Sequence, residues 1–195
     1  MNAFVLLALM CLANDVRGEG KYFSLSYFHQ ILAKNNVLYS SCYKRCFLSN
    51  FLACYGNEKI QGMTCSASTE HPGGYTCQKA IDGNSGTDWA TRGEGAGAWI
   101  QLNFPKKYEV KSLTLTHRAT GGYRQGELFK DLTFEFSNGQ TAGPFTMDNS
   151  AGSSKTFNIP NKIVSKFVKI TATSAYKTFN NGFSDIIVNG CPIGM

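Results

Sequence analysis

Apolar and polar residues alternate through the C-terminal two thirds of the chain. Residues 112–117, Ser-Leu-Thr-Leu-Thr-His, switch in strict turn, and so do residues 132–136, Leu-Thr-Phe-Glu-Phe. A period of two sets one face of a strand on a core and the other in water. Residues 166–171 and 185–188 predict two further strands, and residues 97–104 run into another. The triplet Ser137-Asn138-Gly139 ends one strand with a turn signal, and residues 140–155, rich in Gly, Ser, Thr and Asn, read as a strand edge plus a long loop. Strands at this spacing, without a helical period, predict a mainly β, antiparallel β-sandwich or jelly roll.

The N-terminal third follows another pattern. Residues 3–13 carry no charge, a run too short for a membrane span of about 20 residues. Small residues follow, with cleavage after Ala13 or around Val16-Arg17-Gly18, so residues 1–18 are expected to be a signal peptide. No second apolar run reaches spanning length, and a secreted, extracellular protein is expected. Val37, Leu38, Phe47 and Leu48 line a helical face that also carries Cys42 and Cys46, four residues apart.

Composition narrows the picture. The 195 residues hold one ordinary domain plus a small module, and 43% hydrophobic content excludes wholesale disorder. The net charge of +6 is scattered, with no Lys/Arg run longer than two, which speaks for solubility and against a nucleic-acid partner. Of seven cysteines, Cys11 would leave with the signal peptide; the remaining six suit three disulfides out of fifteen connectivities. No CxxC or closely spaced His pair supports zinc.

The stretch Ala80-Ile81-Asp82-Gly83-Asn84-Ser85-Gly86-Thr87 gathers oxygen groups on a glycine-bearing turn. Oxygen-only ligands suit a hard cation such as Ca²⁺, although Asp82 capping its own turn is the plainer alternative. Together with Trp89, the strand Trp99-Ile100-Gln101-Leu102-Asn103-Phe104 and the final run 180–188, this stretch resembles a discoidin, or coagulation-factor C-type, galactose-binding-like β-sandwich. The resemblance covers residues 59 to 191 and sets a domain at 59–195. It implies first and last strands that lie close together, and a structural Ca²⁺ held by Ala80, Asp82, Asn84, Thr87 and Asp185. Trp89 and Trp99 are expected in the core with their indole N–H groups paired.

The spacing C-x₃-C-x₇-C-x₁₀-C from Cys42 to Cys65 is similar to the central part of a PAN/apple module, which sets a helix-containing, disulfide-stapled segment at residues 19–58. That resemblance implies Cys46–Cys54 and Cys42–Cys65, and the discoidin resemblance implies Cys77–Cys191 as a clasp on the sandwich. Pairing of Cys65 with Cys191 is the alternative clasp.

Catalytic patterns are missing. The glycine-rich run 93–97 precedes a strand rather than a helix, no Gly-x-Ser-x-Gly occurs, and none of His29, His71 and His117 lies near a sequence-visible nucleophile. A binding module, not an enzyme, is expected. The loop 116–124 gathers His117, Arg118, Tyr123 and Arg124 around two glycines, with Arg92 and Glu94 in the preceding loop. Guanidinium donors beside an aromatic face suit sugar hydroxyls or an acidic group. The loop bears a partial resemblance to fucose-binding F-type lectins, which implies glycan binding. Extracellular glycans or glycoproteins are therefore the expected partners. Matrix or surface proteins are an alternative, and so is anionic phospholipid, for which Tyr176, Phe179 and Phe183 would be the apolar spikes and Phe183 is better placed in the core.

Overall fold

The computed structural model describes residues 58–118 and 127–193. The expected signal peptide, the helix with Cys42 and Cys46, the Cys46–Cys54 pairing, Tyr123 and Arg124 lie outside them. The elements are β1 (Glu58–Lys59), β2 (Thr64–Ala67), a 3₁₀ turn (Cys77–Ala80), β3 (Trp89–Ala90), β4 (Trp99–His117), β5 (Asp131–Phe136), β6 (Thr141–Thr146), β7 (Ser154–Ala172) and β8 (Gly182–Pro192). Every pairing between them is antiparallel. The fold is mainly β, as the alternation predicts.

Two strands of 19 residues, β4 and β7, organise it. The first part of β4, 99–103, lies between β2 and the end of β7; the second, 108–117, lies between β8 and the start of β7. The register breaks between Asn103 and Tyr108 and again between Val110 and Ser112. Each long strand therefore bends at its middle and passes from one layer to the other. One layer runs β2–β4–β7–β5–β6; the other runs β7–β4–β8, with β1 and β3 on the outer edge of β8. Inward residues of both layers meet in one core. Phe134 of β5 and Phe145 of β6 pack at 4.7 Å between ring centroids, and Phe157, from the other half of β7, lies 4.9 Å from Phe145 and 5.9 Å from Phe134. Truncating a buried Phe of this kind costs about 3–5 kcal/mol. A second aromatic group, Trp89, Phe129 and Phe183, closes the core below the loops.

The first and last strands are adjacent, with Glu58 opposite Gly190 and Lys59 opposite Asn189. Backbones approach so closely at Gly182 that a Cβ there would stand 1.9 Å from the Trp89 carbonyl oxygen, so only glycine fits.

Two expectations are corrected. Trp89 is 1% exposed and donates its indole N–H to the Thr69 carbonyl at 3.1 Å. Trp99, by contrast, is only half-buried. It takes the outward phase of β4 with Gln101 and Asn103, and Lys169 lies 4.6 Å over its ring. The disulfide set also differs. Cys65 pairs with Cys77, with Cα atoms 6.0 Å apart, which rules out Cys42–Cys65, Cys77–Cys191 and the alternative Cys65–Cys191. The reason is local: β2 lies beside the 3₁₀ turn that opens at Cys77, whose N–H is fixed by the Glu70 carboxylate at 2.7 Å. A loop this short is worth about 3 kcal/mol in the chain-entropy account. Cys191 is also disulfide-bonded, to a partner outside the described residues.

Candidate functional site

Because β4 and β7 fold back on themselves, their ends converge at one end of the sandwich. There the segments 68–76, 91–98, 148–153 and 173–181 meet around the exit of β4. Asn180 accepts the Gly93 N–H at 3.0 Å, and the Asn181 carbonyl accepts the Thr91 N–H at 2.8 Å. The Arg92 N–H is held by the Thr69 hydroxyl at 3.0 Å. Thr178 leaves no room for a side chain at Gly95, whose Cβ would lie 2.5 Å from its hydroxyl. The loop end is thus a set of mutually bonded segments.

Beneath it sits a buried cation. Arg118, its side chain 3% exposed, donates from Nη1 to Glu127 at 2.8 Å and from Nε to Asp88 at 3.3 Å. Nη1 also donates to the Asn180 carbonyl, and the guanidinium lies 5.4 Å over the Tyr75 ring. Four segments distant in sequence are tied to one guanidinium, whose planar fork suits several acceptors at once. His117 is fully buried and stacks on Phe183, 6.1 Å away and nearly parallel. Its Nδ1 lies 3.4 Å from the Ser150 carbonyl, and burial holds its pKa below the ordinary 6.5. This corrects the expectation that His117 and Arg118 face a ligand. His117 at the end of β4 and Arg118 just beyond it are both buried, so they support the loops from within.

The groups that do face solvent are different. Arg92 is exposed, and its guanidinium has no hydrogen bond or ion pair among the described residues. Glu94 is half-buried and accepts from the Ser68 hydroxyl. Phe179, 62% exposed, is the most exposed large apolar side chain among the described residues. The Asn180–Gly93 bond brings its loop against that of Arg92. Sequence reasoning singled out Phe179 only as a possible lipid spike. An aromatic residue in an otherwise polar run, Lys177-Thr178-Phe179-Asn180-Asn181, was the available signal.

At the side of the sandwich the oxygen-rich turn closes on itself. Asp82 Oδ1 accepts the Asn84 N–H at 2.9 Å, and the Thr87 hydroxyl lies within 3.0 Å of both Asp82 oxygens and the Asn84 carbonyl, and 3.4 Å from the Lys79 carbonyl. Asp185 comes from β8, and its Oδ1 is buried with no hydrogen-bond partner. Burial, reinforced by the charge of Asp82, raises its carboxyl above the usual range, while Lys59 acts against this. Among the described residues no three His, Cys, Asp or Glu side chains gather as a metal site, so a cation here would draw on hydroxyl and carbonyl oxygens as well as two carboxylates. That mixed oxygen set and the orphaned Asp185 oxygen fit a hard divalent cation. The Ala80 side chain is buried at the end of the 3₁₀ turn.

The F5/8 type C domain family matches residues 64–186. No curated protein sequence matches the chain. Among solved structures, the family 32 CBM from C. perfringens NanJ in complex with galactose superposes with a TM-score of 0.59 and 24% identity, over 67% of this chain and 97% of that one. CpGH89CBM32-5 from Clostridium perfringens, in complex with GalNAc-β-1,3-galactose, gives 0.56 and 25% over 67% and 99%. The C-terminal domain of a chitobiase from Bacteroides fragilis gives 0.58 and 17% over 70% and 100%.

Proposed function

The chain belongs to the F5/8 type C domain family, and from that premise we propose that it is a secreted, non-catalytic module that binds glycans with its loop end. One observation carries the reading: the exposed Phe179 and the exposed Arg92, whose guanidinium has no hydrogen bond or ion pair among the described residues, lie on two loops joined by the Asn180–Gly93 bond. A flat apolar face packs against the C–H face of a sugar, and a guanidinium donates to its hydroxyls. The galactose-bearing neighbours support a galactose- or N-acetylgalactosamine-type ligand. The Cys65–Cys77 disulfide supports an oxidising, extracellular location.

A Ca²⁺ ion belongs to the same reading. Asp82, Asp185, the Thr87 hydroxyl and the carbonyls of Asn84 and Ala80 would hold it. It would neutralise two neighbouring carboxylates and join the start of the domain to its last strand.

Anionic phospholipid is the second reading, favoured by Lys177 beside the exposed Phe179. A glycan array with galactose and N-acetylgalactosamine termini, run beside phosphatidylserine vesicles, separates the two. The expected result is binding to sugars that weakens by about two- to thirteenfold in Phe179→Ala, the scale of an aromatic contact of ~0.5–1.5 kcal/mol. Vesicle binding with a blank array would replace the glycan reading with the lipid one.

A further inference from the structure

The end of the sandwich opposite the loops carries charge that the glycan reading does not use. Both long strands bend there. Between Asn103 and Tyr108, β4 inserts Phe104-Pro105-Lys106-Lys107 against the single residue Lys166 of β7. At the next break β7 inserts Ile159-Pro160-Asn161-Lys162 against the single residue Lys111 of β4. Five lysines thus fall into two adjacent irregularities. Only Lys111 is neutralised, by Glu109 at 2.5 Å. Lys106, Lys107, Lys162 and Lys166 are all exposed, and none has a carboxylate partner among the described residues. Lys106 lies 5.9 Å over the Tyr108 ring.

Other lysines are placed differently. Lys79 lies beside Asp82, Lys130 beside Asp131 and Lys155 beside Asp148, each within 4.0 Å. Lysines without a carboxylate partner among the described residues therefore gather at the bend, although the sequence shows no Lys/Arg run longer than two. Lys162 and Lys166 are four residues apart, about 13 Å along an extended strand, and β4 runs about 4.8 Å from β7. The result is a short basic strip in which none of the four exposed lysines is paired with a carboxylate among the described residues.

We infer that this bend is a docking strip for a sulfated polysaccharide chain, separate from the loop end. The partner must be a polyanion, because only fixed negative charge compensates four clustered ammonium groups. A membrane suits the strip poorly. Among the described residues its one large apolar side chain that is exposed rather than half-buried is Ile193, at 36%, whereas Phe179, at 62%, stands at the far end. The Cys65–Cys77 disulfide places the domain where nucleic acid is not the common polyanion. A flexible sulfated chain needs only spaced ammonium groups and no apolar pocket.

The test uses the full chain on immobilised heparin across a salt series, with desulfated heparin and phosphatidylserine vesicles as comparison surfaces. The quadruple variant Lys106→Gln, Lys107→Gln, Lys162→Gln, Lys166→Gln changes exposed side chains only, and its melting temperature is checked against the unaltered protein. A second pair, Lys106→Gln/Lys107→Gln against Lys130→Gln/Lys155→Gln, holds the charge change equal while moving it off the strip. Retention on heparin but not on desulfated heparin is expected. The slope of log affinity against log salt should flatten by about one per lysine removed from the strip. Equal losses in the two double variants, unchanged retention in the quadruple variant, or a preference for vesicles over heparin would each overturn the inference. Galactose binding is read separately on the glycan array with the same variants, so a blank array leaves the heparin result intact.

Discussion

The two ends of the sandwich handle positive charge in opposite ways. At the loop end Arg118 is enclosed, held by Asp88, Glu127 and a backbone carbonyl. At the bend Lys106, Lys107, Lys162 and Lys166 stand in solvent without a carboxylate partner among the described residues. An enclosed cation with several acceptors shapes the protein, whereas an exposed one without an acceptor is available to something else. Arg118 and Lys106 look alike in sequence, each a basic residue beside a turn, and only the surrounding fold separates them.

The comparison breaks most sharply at Arg118. Arg118→Met should cost about 3–5 kcal/mol, because it leaves two carboxylates buried without their cation. Lys106→Met should stay within about 0.5 kcal/mol. Urea melts of the two variants measure both, and equal losses would show that the buried network contributes little. The oxygen-rich turn sharpens the contrast from the other sign of charge. Ca²⁺ at a hundred times its dissociation constant should stabilise the unaltered protein by about 2.7 kcal/mol, and Asp82→Ala should not respond. If calcium and chelator give the unaltered protein the same melting temperature, no cation binds there.

The smallest effect lies beside Arg118. His117 has a folded pKa below 6.5 because it is buried. Its unfolded form therefore takes up a proton first as the pH drops. Stability is complete above about pH 6.5 and declines below it, until the lowered folded pKa is passed, with a slope of at most about 1.4 kcal/mol per pH unit. Asp148 is the charged group that opposes this, and the carbonyls of Ser150 and Phe129 act in the same direction. His117→Phe removes the proton and keeps a ring against Phe183. Its stability should vary less than that of the unaltered protein between pH 6.5 and 5, and identical profiles would mean that His117 does not carry the effect.

Much of the fold was legible because half-buried strands announce themselves. The alternation at 112–117 and 132–136 falls inside β4 and β5. What alternation does not show is that 99–104 and 108–117 form one bent strand, since its phase resets across Pro105-Lys106-Lys107. The burial of Arg118 was hidden for a different reason. Asp88 lies 30 residues before it, and their pairing exists only after the sheets close. The disulfide error came from a resemblance of spacings. Cys65 belonged to the sandwich and met Cys77 twelve residues on, rather than a cysteine of the preceding segment. In the oxygen-rich turn the local bonds of Asp82, Asn84 and Thr87 followed from sequence proximity, while the unpartnered oxygen of Asp185 needed the fold.

The pairing of β1 with β8 carries a further consequence for how such a domain is used. Glu58 sits opposite Gly190, and Gly190 in turn lies opposite Val110, next to the bend of the long strands. The first and last described strands of the domain therefore end side by side, at the pole remote from the loops. A domain whose two ends emerge together can be inserted into a loop of another fold as readily as it can be joined end to end. The loops with Phe179 and Arg92 lie at the opposite end of the domain from these paired strand ends.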